Sequence, residues 1–240
     1  MNHKKYDVIA LGELLIDFTS SGKSEQGNEL FEANPGGAPC NVLAMLQKMG
    51  RKTAFIGKVG KDEFGWRLKE TIRSVGIESS HVRMDPTVHT TLAFVHKLAN
   101  GDRDFSFYRN PGADICLTEK EVEEDFLREG KIFHFGTLSM THENVRKATE
   151  KAIAIAEKYN ILRSFDPNLR EPLWENLEQA KVQMRYGFAH CDILKISDNE
   201  VQFVTGKKDL NEGMRQILAE YPNIVLACLT MGKEGSRAFY

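Results

Sequence analysis

Apolar runs and the polar breaks between them divide the chain into two halves with different rhythms. In the second half, strand-like apolar cores begin at Ile132, Leu162, Ile193 and Ile224. They follow one another at intervals of about 30 residues, the length of a strand, a crossover helix and its loops, as parallel strands require. Between them Val145, Ala148, Ala152, Ala156 and Tyr159 step by three or four, a helical period. Equal spacing without self-similar sequence predicts successive strand–helix units in a parallel sheet covered on both faces.

In the first half Val8, Ile9, Ala10 and Leu11 predict a strand ending at Gly12. Val42, Leu43, Leu46 and Met49 predict a helix stopped by Gly50, and Phe64, Leu68, Ile72 and Val75 another before Gly76. Two strand-like runs between Thr90 and Tyr108 flank Asn100-Gly101, a hairpin signal. With Leu14 to Phe18 they predict a small antiparallel flap beside the main sheet. Thr118 and Glu121 have the spacing of a capping box at the start of the next helix. No Pro/Ser-rich linker interrupts the chain, so the expectation is one domain with a flap.

Composition narrows the classes. With 41% apolar residues among 240, the chain can bury a sizeable core. The 32 Lys+Arg against 34 Asp+Glu leave a net charge of −2 and no electrostatic case for nucleic acid or an acidic membrane surface. The longest apolar run, Ile224 to Leu229, is far short of the ~20 residues a membrane span needs. Asp7, Glu13 and Asp17 interrupt what would otherwise imitate a signal peptide. Cys40, Cys116, Cys191 and Cys228 are scattered, without the short spacing of a zinc or redox pair. A cytoplasmic protein with structural thiols is the expectation.

In an open parallel sheet, ligands bind beyond the carboxyl ends of the strands. Three successive ends carry Asp166-Pro167-Asn168-Leu169-Arg170, then Ser197-Asp198-Asn199-Glu200, then Thr230-Met231-Gly232-Lys233-Glu234-Gly235. Each set also suits helix capping or a turn. Together, carboxylates, amides, a guanidinium and glycine-rich backbone on one rim favour a polyanion site. Gly36-Gly37-Ala38-Pro39-Cys40-Asn41 opens a helix, so a ligand could approach its free N–H groups, or the glycines could serve a plain tight turn. Asn41 can both donate to and accept from a polyhydroxylated ligand.

Some patterns exclude themselves. Gly22-Lys23-Ser24 resembles the end of a Walker loop, but Asp17 stands where its first glycine belongs. Gly57, Gly60 and Gly65 lack the dinucleotide-binding spacing, and His134 and His142 have no third partner at metal-ligand spacing.

These residues, in combination and order, resemble the ribokinase/PfkB family of carbohydrate kinases, and within it bacterial fructokinases. The resemblance runs from Gly12-Glu13 and Asp17 through Gly36 to Asn41, Gly57 to Asp62 with Phe64-Gly65, and Phe107-Tyr108-Arg109 with Ala113-Asp114. It continues through Asp166-Pro167-Asn168 with Arg170, Lys195-Ile196-Ser197, Glu200 and Thr230-Met231-Gly232. It implies a ribokinase-like three-layer α/β/α sandwich over residues 1–240, with a mostly parallel central sheet and a β-lid from about 13–33 and 89–112. It implies transfer of the ATP γ-phosphoryl group to a primary sugar hydroxyl, with Mg2+. By position, Asp17, Gly36, Gly37, Asn41 and Asn168 would bind the sugar, while Tyr108 and Arg109 reach down from the lid. Arg170 would stabilise phosphoryl charge; Lys195, Ser197, Thr230, Gly232 and Gly235 would flank the nucleotide. Glu200 would organise magnesium through water, although Ser197 stands where the family motif has asparagine. A homodimer through the lid is a further expectation.

Phe107-Tyr108-Arg109-Asn110-Pro111 followed by Ala113-Asp114 looks like fructokinases. The alternative is 2-keto-3-deoxygluconate kinase, whose acidic substrate would use Arg109 or Arg170. The resemblance also implies a segment beyond Tyr240 with a Gly-Ala-Gly-Asp aspartate as general base. The 240 residues by themselves are therefore expected to bind better than they catalyse, and a non-catalytic sugar-binding remnant is the other alternative.

Overall fold

The computed structural model describes residues 4–97 and 103–240. Strands β1 (Tyr6–Leu11), β4 (Thr53–Gly60), β5 (Val82–Asp85), β8 (Gly130–Gly136), β9 (Leu162–Asp166), β10 (Ile193–Ser197), β11 (Leu226–Thr230) and β12 (Ser236–Phe239) form one sheet. Their order is β12-β11-β10-β9-β8-β1-β4-β5. Every neighbouring pair is parallel except β11 and β12. The second-half rhythm is therefore β8 to β11, laid down in chain order on one side of β1, while β4 and β5 extend the other side. The order reverses between β1 and β8, and a crevice opens at such a switch point.

Side-chain alternation along β1 feeds two cores. Ile9 and Leu11 join Phe133, Phe135, Ala148 and Ala152 on one face; Val8 and Ala10 join Leu43, Phe55, Leu68 and Ile72 on the other. Helices α1 (Ala38–Lys48) and α2 (Glu63–Ser74) cover the second face. The first core is shared by α3 (Glu124–Leu127), α4 (Glu143–Lys158), α5 (Leu177–Ala189), α6 (Asp198–Thr205) and α7 (Leu210–Glu220). The result is a ribokinase-like α/β fold with a mostly parallel central sheet. The predicted stripe on α1 is only partly core: Leu43 is buried, but Val42, Met45 and Met49 face outward. The Thr118–Glu121 box forms, yet it closes a single 3-10 turn (Glu119–Glu121), and only the four-residue α3 follows. Among the described residues no helix is long and apolar enough to cross a membrane.

A second sheet of four strands stands beside the first, in the order β3-β2-β6-β7: β3 (Glu29–Gly36), β2 (Leu15–Lys23), β6 (Leu92–Lys97) and β7 (Arg103–Tyr108). The hairpin strands β6 and β7 are antiparallel; the predicted Asn100-Gly101 turn lies outside the described residues. The all-antiparallel expectation is corrected, because β2 runs parallel to β6, with Ile16 opposite Leu92 and Thr19 opposite Val95. The long excursion through α1, β4, α2 and β5 separates the two strands and returns the chain in the same direction.

Candidate active site

Between the small sheet and the switch point lies a cavity of about 490 Å³, bordered by Glu13, Leu15, Asp17, Thr19, Asn34, Gly37, Ala38, Asn41, Val95, Phe105, Phe107, Leu138, Asn168 and Arg170. Period-2 alternation explains its roof. Leu15, Asp17 and Thr19 share one face of β2, and Phe105 and Phe107 one face of β7. Asn34, opposite Asp17 in the ladder, donates from Nδ2 to Thr19 Oγ1 at 2.9 Å. The reverse face of the sheet gathers Phe18, Phe31, Phe94 and Tyr108 in ring contact.

The floor is the start of α1. Gly37 caps the helix with φ of +121°, where a Cβ would stand 2.3 Å from the Glu13 carbonyl oxygen. Only glycine permits that approach. Gly36 does not border the cavity. Its role is spatial, since a Cβ there would meet Asp17 Oδ2 at 2.2 Å.

A second cavity of about 350 Å³ adjoins the first and is bordered by Asn168, Leu169, Arg170, Glu171, Lys195, Ser197, Asn199, Glu200 and Phe203. Asn168 and Arg170 border both cavities. Asn168 holds φ of +46°, a left-handed conformation that asparagine adopts more readily than most residues. The Arg170 guanidinium lies 5.2 Å from the Phe105 ring centroid and donates to the Leu169 carbonyl at 3.0 Å. Lys195 Nζ pairs with Asp166 Oδ1 at 3.1 Å. Burial raises the Asp166 pKa, against the opposing pull of Lys195.

Glu200 is more enclosed than its expected part implies. Its Oε2 accepts from Ser197 N and Oγ at 2.8 Å, and its Oε1 from Leu169 N at 2.8 Å. Ser197 thus caps α6 in a reciprocal box with Glu200. Thr230 sits opposite Ser197 in the β10–β11 ladder. Neither Thr230 nor Gly232 and Gly235, in the β11–β12 turn, borders either cavity.

Two expected lid contacts are corrected. Tyr108, 65% exposed, points to the aromatic reverse face. Arg109 is buried: Nε donates to Asp114 Oδ2 at 2.7 Å, Nη1 to Thr141 Oγ1 at 3.0 Å and Nη2 to the Leu138 carbonyl at 2.9 Å. With each nitrogen engaged, this guanidinium braces the end of β7 against the Thr137–Met140 turn and does not reach the cavity. Sequence reading also missed Asn34, Phe105, Phe107 and Leu138 as cavity residues; strand alternation gave a signal for the two phenylalanines. Glu13 was visible only as part of a motif. His134 is buried with its pKa lowered to about 4 by burial, which fits a neutral structural residue hydrogen-bonded to Ser164 Oγ at 3.1 Å.

Comparison with known proteins gives the family and the fold. Residues 5–240 match the pfkB family carbohydrate kinase profile. Fructokinase-2 of Solanum lycopersicum is 40% identical over 230 residues, which cover 95% of this chain and 70% of the relative. The crystal structure of fructokinase with bound ATP from Xylella fastidiosa is 27% identical, with a TM-score of 0.86 over 98% of this chain and 75% of that one. A fructokinase double mutant from Vibrio cholerae, in a fructose, ADP and potassium ion bound form, is 27% identical. Its TM-score is 0.87 over 100% of this chain and 74% of that one.

Proposed function

This chain belongs to the pfkB family of carbohydrate kinases, and we propose that it transfers the γ-phosphoryl group of ATP to a primary hydroxyl of fructose, giving fructose 6-phosphate. The observation that carries the reading is the pair of adjoining cavities with Asn168 and Arg170 on their common border. The first, with Asp17, Asn34 and Asn41, offers the mixed donors and acceptors a polyol needs. The second, with Lys195, Ser197 and Asn199, suits the nucleotide. Arg170 at the junction can stay hydrogen-bonded to charge as it moves from one oxygen to the other, a contribution of the oxyanion-hole kind. The four-stranded sheet acts as a lid that keeps water from the transferring group.

Magnesium fits this site only as a companion of the nucleotide. Among the described residues no group of three or more His, Cys, Asp and Glu side chains is placed to hold a metal ion. When bound, it would neutralise phosphate charge, and Glu200, already accepting from three protein donors, would meet it through water.

Fructose is favoured over an acidic sugar because Arg109, one of the two cations available for a carboxylate, is spent on Asp114. The exposed Phe31 and Tyr108 on the reverse face of the lid support pairing with a second copy. The four free cysteines suit the reducing cytoplasm. A coupled ADP-release assay on the full-length gene product, offered fructose, ribose and 2-keto-3-deoxygluconate, tests the reading. Highest kcat/KM with fructose is expected; turnover of only the ketoacid, or of none, overturns it.

A further inference from the structure

Glu13 follows β1 at the switch point of the sheet and is 4% exposed, yet among the described residues no lysine, arginine or histidine nitrogen pairs with it at ion-pair distance. Its Oε1 accepts the Ala38 backbone N–H at 2.7 Å. The side chain borders the sugar cavity and also a pocket of about 10 Å³ shared with His134 and Asp166, room for about one water molecule. An ionised carboxylate can accept about four hydrogen bonds, so the bonds from Ala38 and from its own backbone N–H leave acceptor capacity at the cavity wall.

A helix-capping role alone does not account for this placement. A serine or a more exposed aspartate caps a helix without bringing a carboxyl group out of water. Burial raises the Glu13 pKa to about 7, although its own backbone N–H, that of Ala38 and the Arg109 guanidinium pull the other way. The charged and titratable neighbours are Arg109 and Asp114 after β7, Asp17 on β2, Cys40 on α1, His134 on β8, Asp166 on β9 and, across the cavity, Arg170 after β9. A buried carboxyl with spare acceptor capacity at the wall of a polar cavity is a group waiting for a donor.

Resting on the fructose kinase reading above, we propose that Glu13 is a substrate-contacting residue: Ala38 fixes one carboxylate oxygen, and the carboxylate accepts a hydroxyl of the bound sugar. The ionised form is the acceptor. The sugar should therefore bind more tightly as pH rises through the titration of Glu13.

The test compares wild type, Glu13→Gln and Glu13→Asp in the full-length gene product, with KM for fructose and for ATP measured from pH 6 to 8.5. Gln can still accept the Ala38 N–H through its amide oxygen but carries no charge. Losing a hydrogen bond to a charged group predicts a rise in fructose KM of roughly 10- to 100-fold at pH 8. The ATP KM should change less than about 2-fold, because only the sugar contact is removed. In wild type, fructose kcat/KM should climb between pH 6 and 8, and in Glu13→Gln that climb should be flat. Glu13→Asp should restore part of the climb, since a carboxylate remains. A wild type that phosphorylates fructose while Glu13→Gln matches it in KM and pH profile overturns the proposal and leaves the kinase reading standing. Equal losses for fructose and ATP would also overturn it, showing a general scaffold effect. A wild type without fructose kinase activity removes both readings.

Discussion

Replacing Arg109 by methionine should unfold this protein more readily, without the substitution touching the sugar. Both partners of the Arg109–Asp114 pair are nearly dry, with side chains 3% and 2% exposed and 2.6 Å between Nη2 and Oδ2. Arg109 also serves Thr141 and the Leu138 carbonyl, and Asp114 receives the Thr91 hydroxyl. Arg109→Met leaves the Asp114 carboxylate buried with only that hydroxyl, and breaking one side of such a pair costs about 3–5 kcal/mol. With a urea m value of about 3 kcal/mol/M, the unfolding midpoint should fall by roughly 1–1.7 M. The double change Arg109→Met with Asp114→Leu removes both charges and should regain at least half of the loss. Retention is expected to be incomplete because Thr91 loses its acceptor. Unfolding is followed by far-UV circular dichroism and by the fluorescence of Trp66 and Trp174, whose agreement checks for a single transition. Additive single and double effects, or an Arg109→Met loss below about 1 kcal/mol, would refute the brace. So would an Arg109→Lys variant with unchanged stability and a raised fructose KM, because that pattern belongs to a lid residue holding the sugar.

Other consequences follow from the same geometry. Asn41→Ala should raise the fructose KM by about 10-fold while leaving ATP binding nearly untouched, the loss of a hydrogen bond or two; steady-state kinetics with each substrate varied decide, and matched losses remove Asn41 from the sugar side. Arg170→Ala should lower kcat by at least about 100-fold, the scale of removing one charge-stabilising donor; single-turnover rates that remain within about 3-fold of wild type would deny it that role. Because the folded state raises the Glu13 pKa from 4.5 to about 7, it holds a proton that the unfolded chain releases, and the associated stability is lost as pH rises across that window. Glu13→Gln should therefore melt higher than wild type at pH 8, by an amount on the order of 3 kcal/mol, and level with it at pH 4.5; calorimetric Tm values that differ equally at both pH values would contradict this.

Much of this architecture can be read along the chain. The spacing of apolar cores from Ile132 onward predicts β8 to β11, and Gly50 and Gly76 mark where α1 and α2 stop, with φ of +75° and +93°. These features depend on neighbours a few residues away, through period, capping and the steric freedom of glycine. The strand-end residues at Asn168, Arg170, Lys195 and Ser197 were also legible, because parallel strands place their carboxyl ends on one rim.

Other decisions belong to contacts between distant segments. Adjacent side chains on β7 must point to opposite faces, but only the pairing of β7 with β6 and β6 with β2 turns Phe105 and Phe107 toward the sugar cavity and Tyr108 away. Arg109 reads as a free cation in a motif until Asp114, Leu138 and Thr141 close around it. Glu13 reads as an ordinary acid until β1, α1 and the small sheet take it out of water. Period and local steric preference are properties of the sequence itself; the face a side chain presents, the partner it meets and the dielectric around it exist only when segments far apart in the chain are packed together.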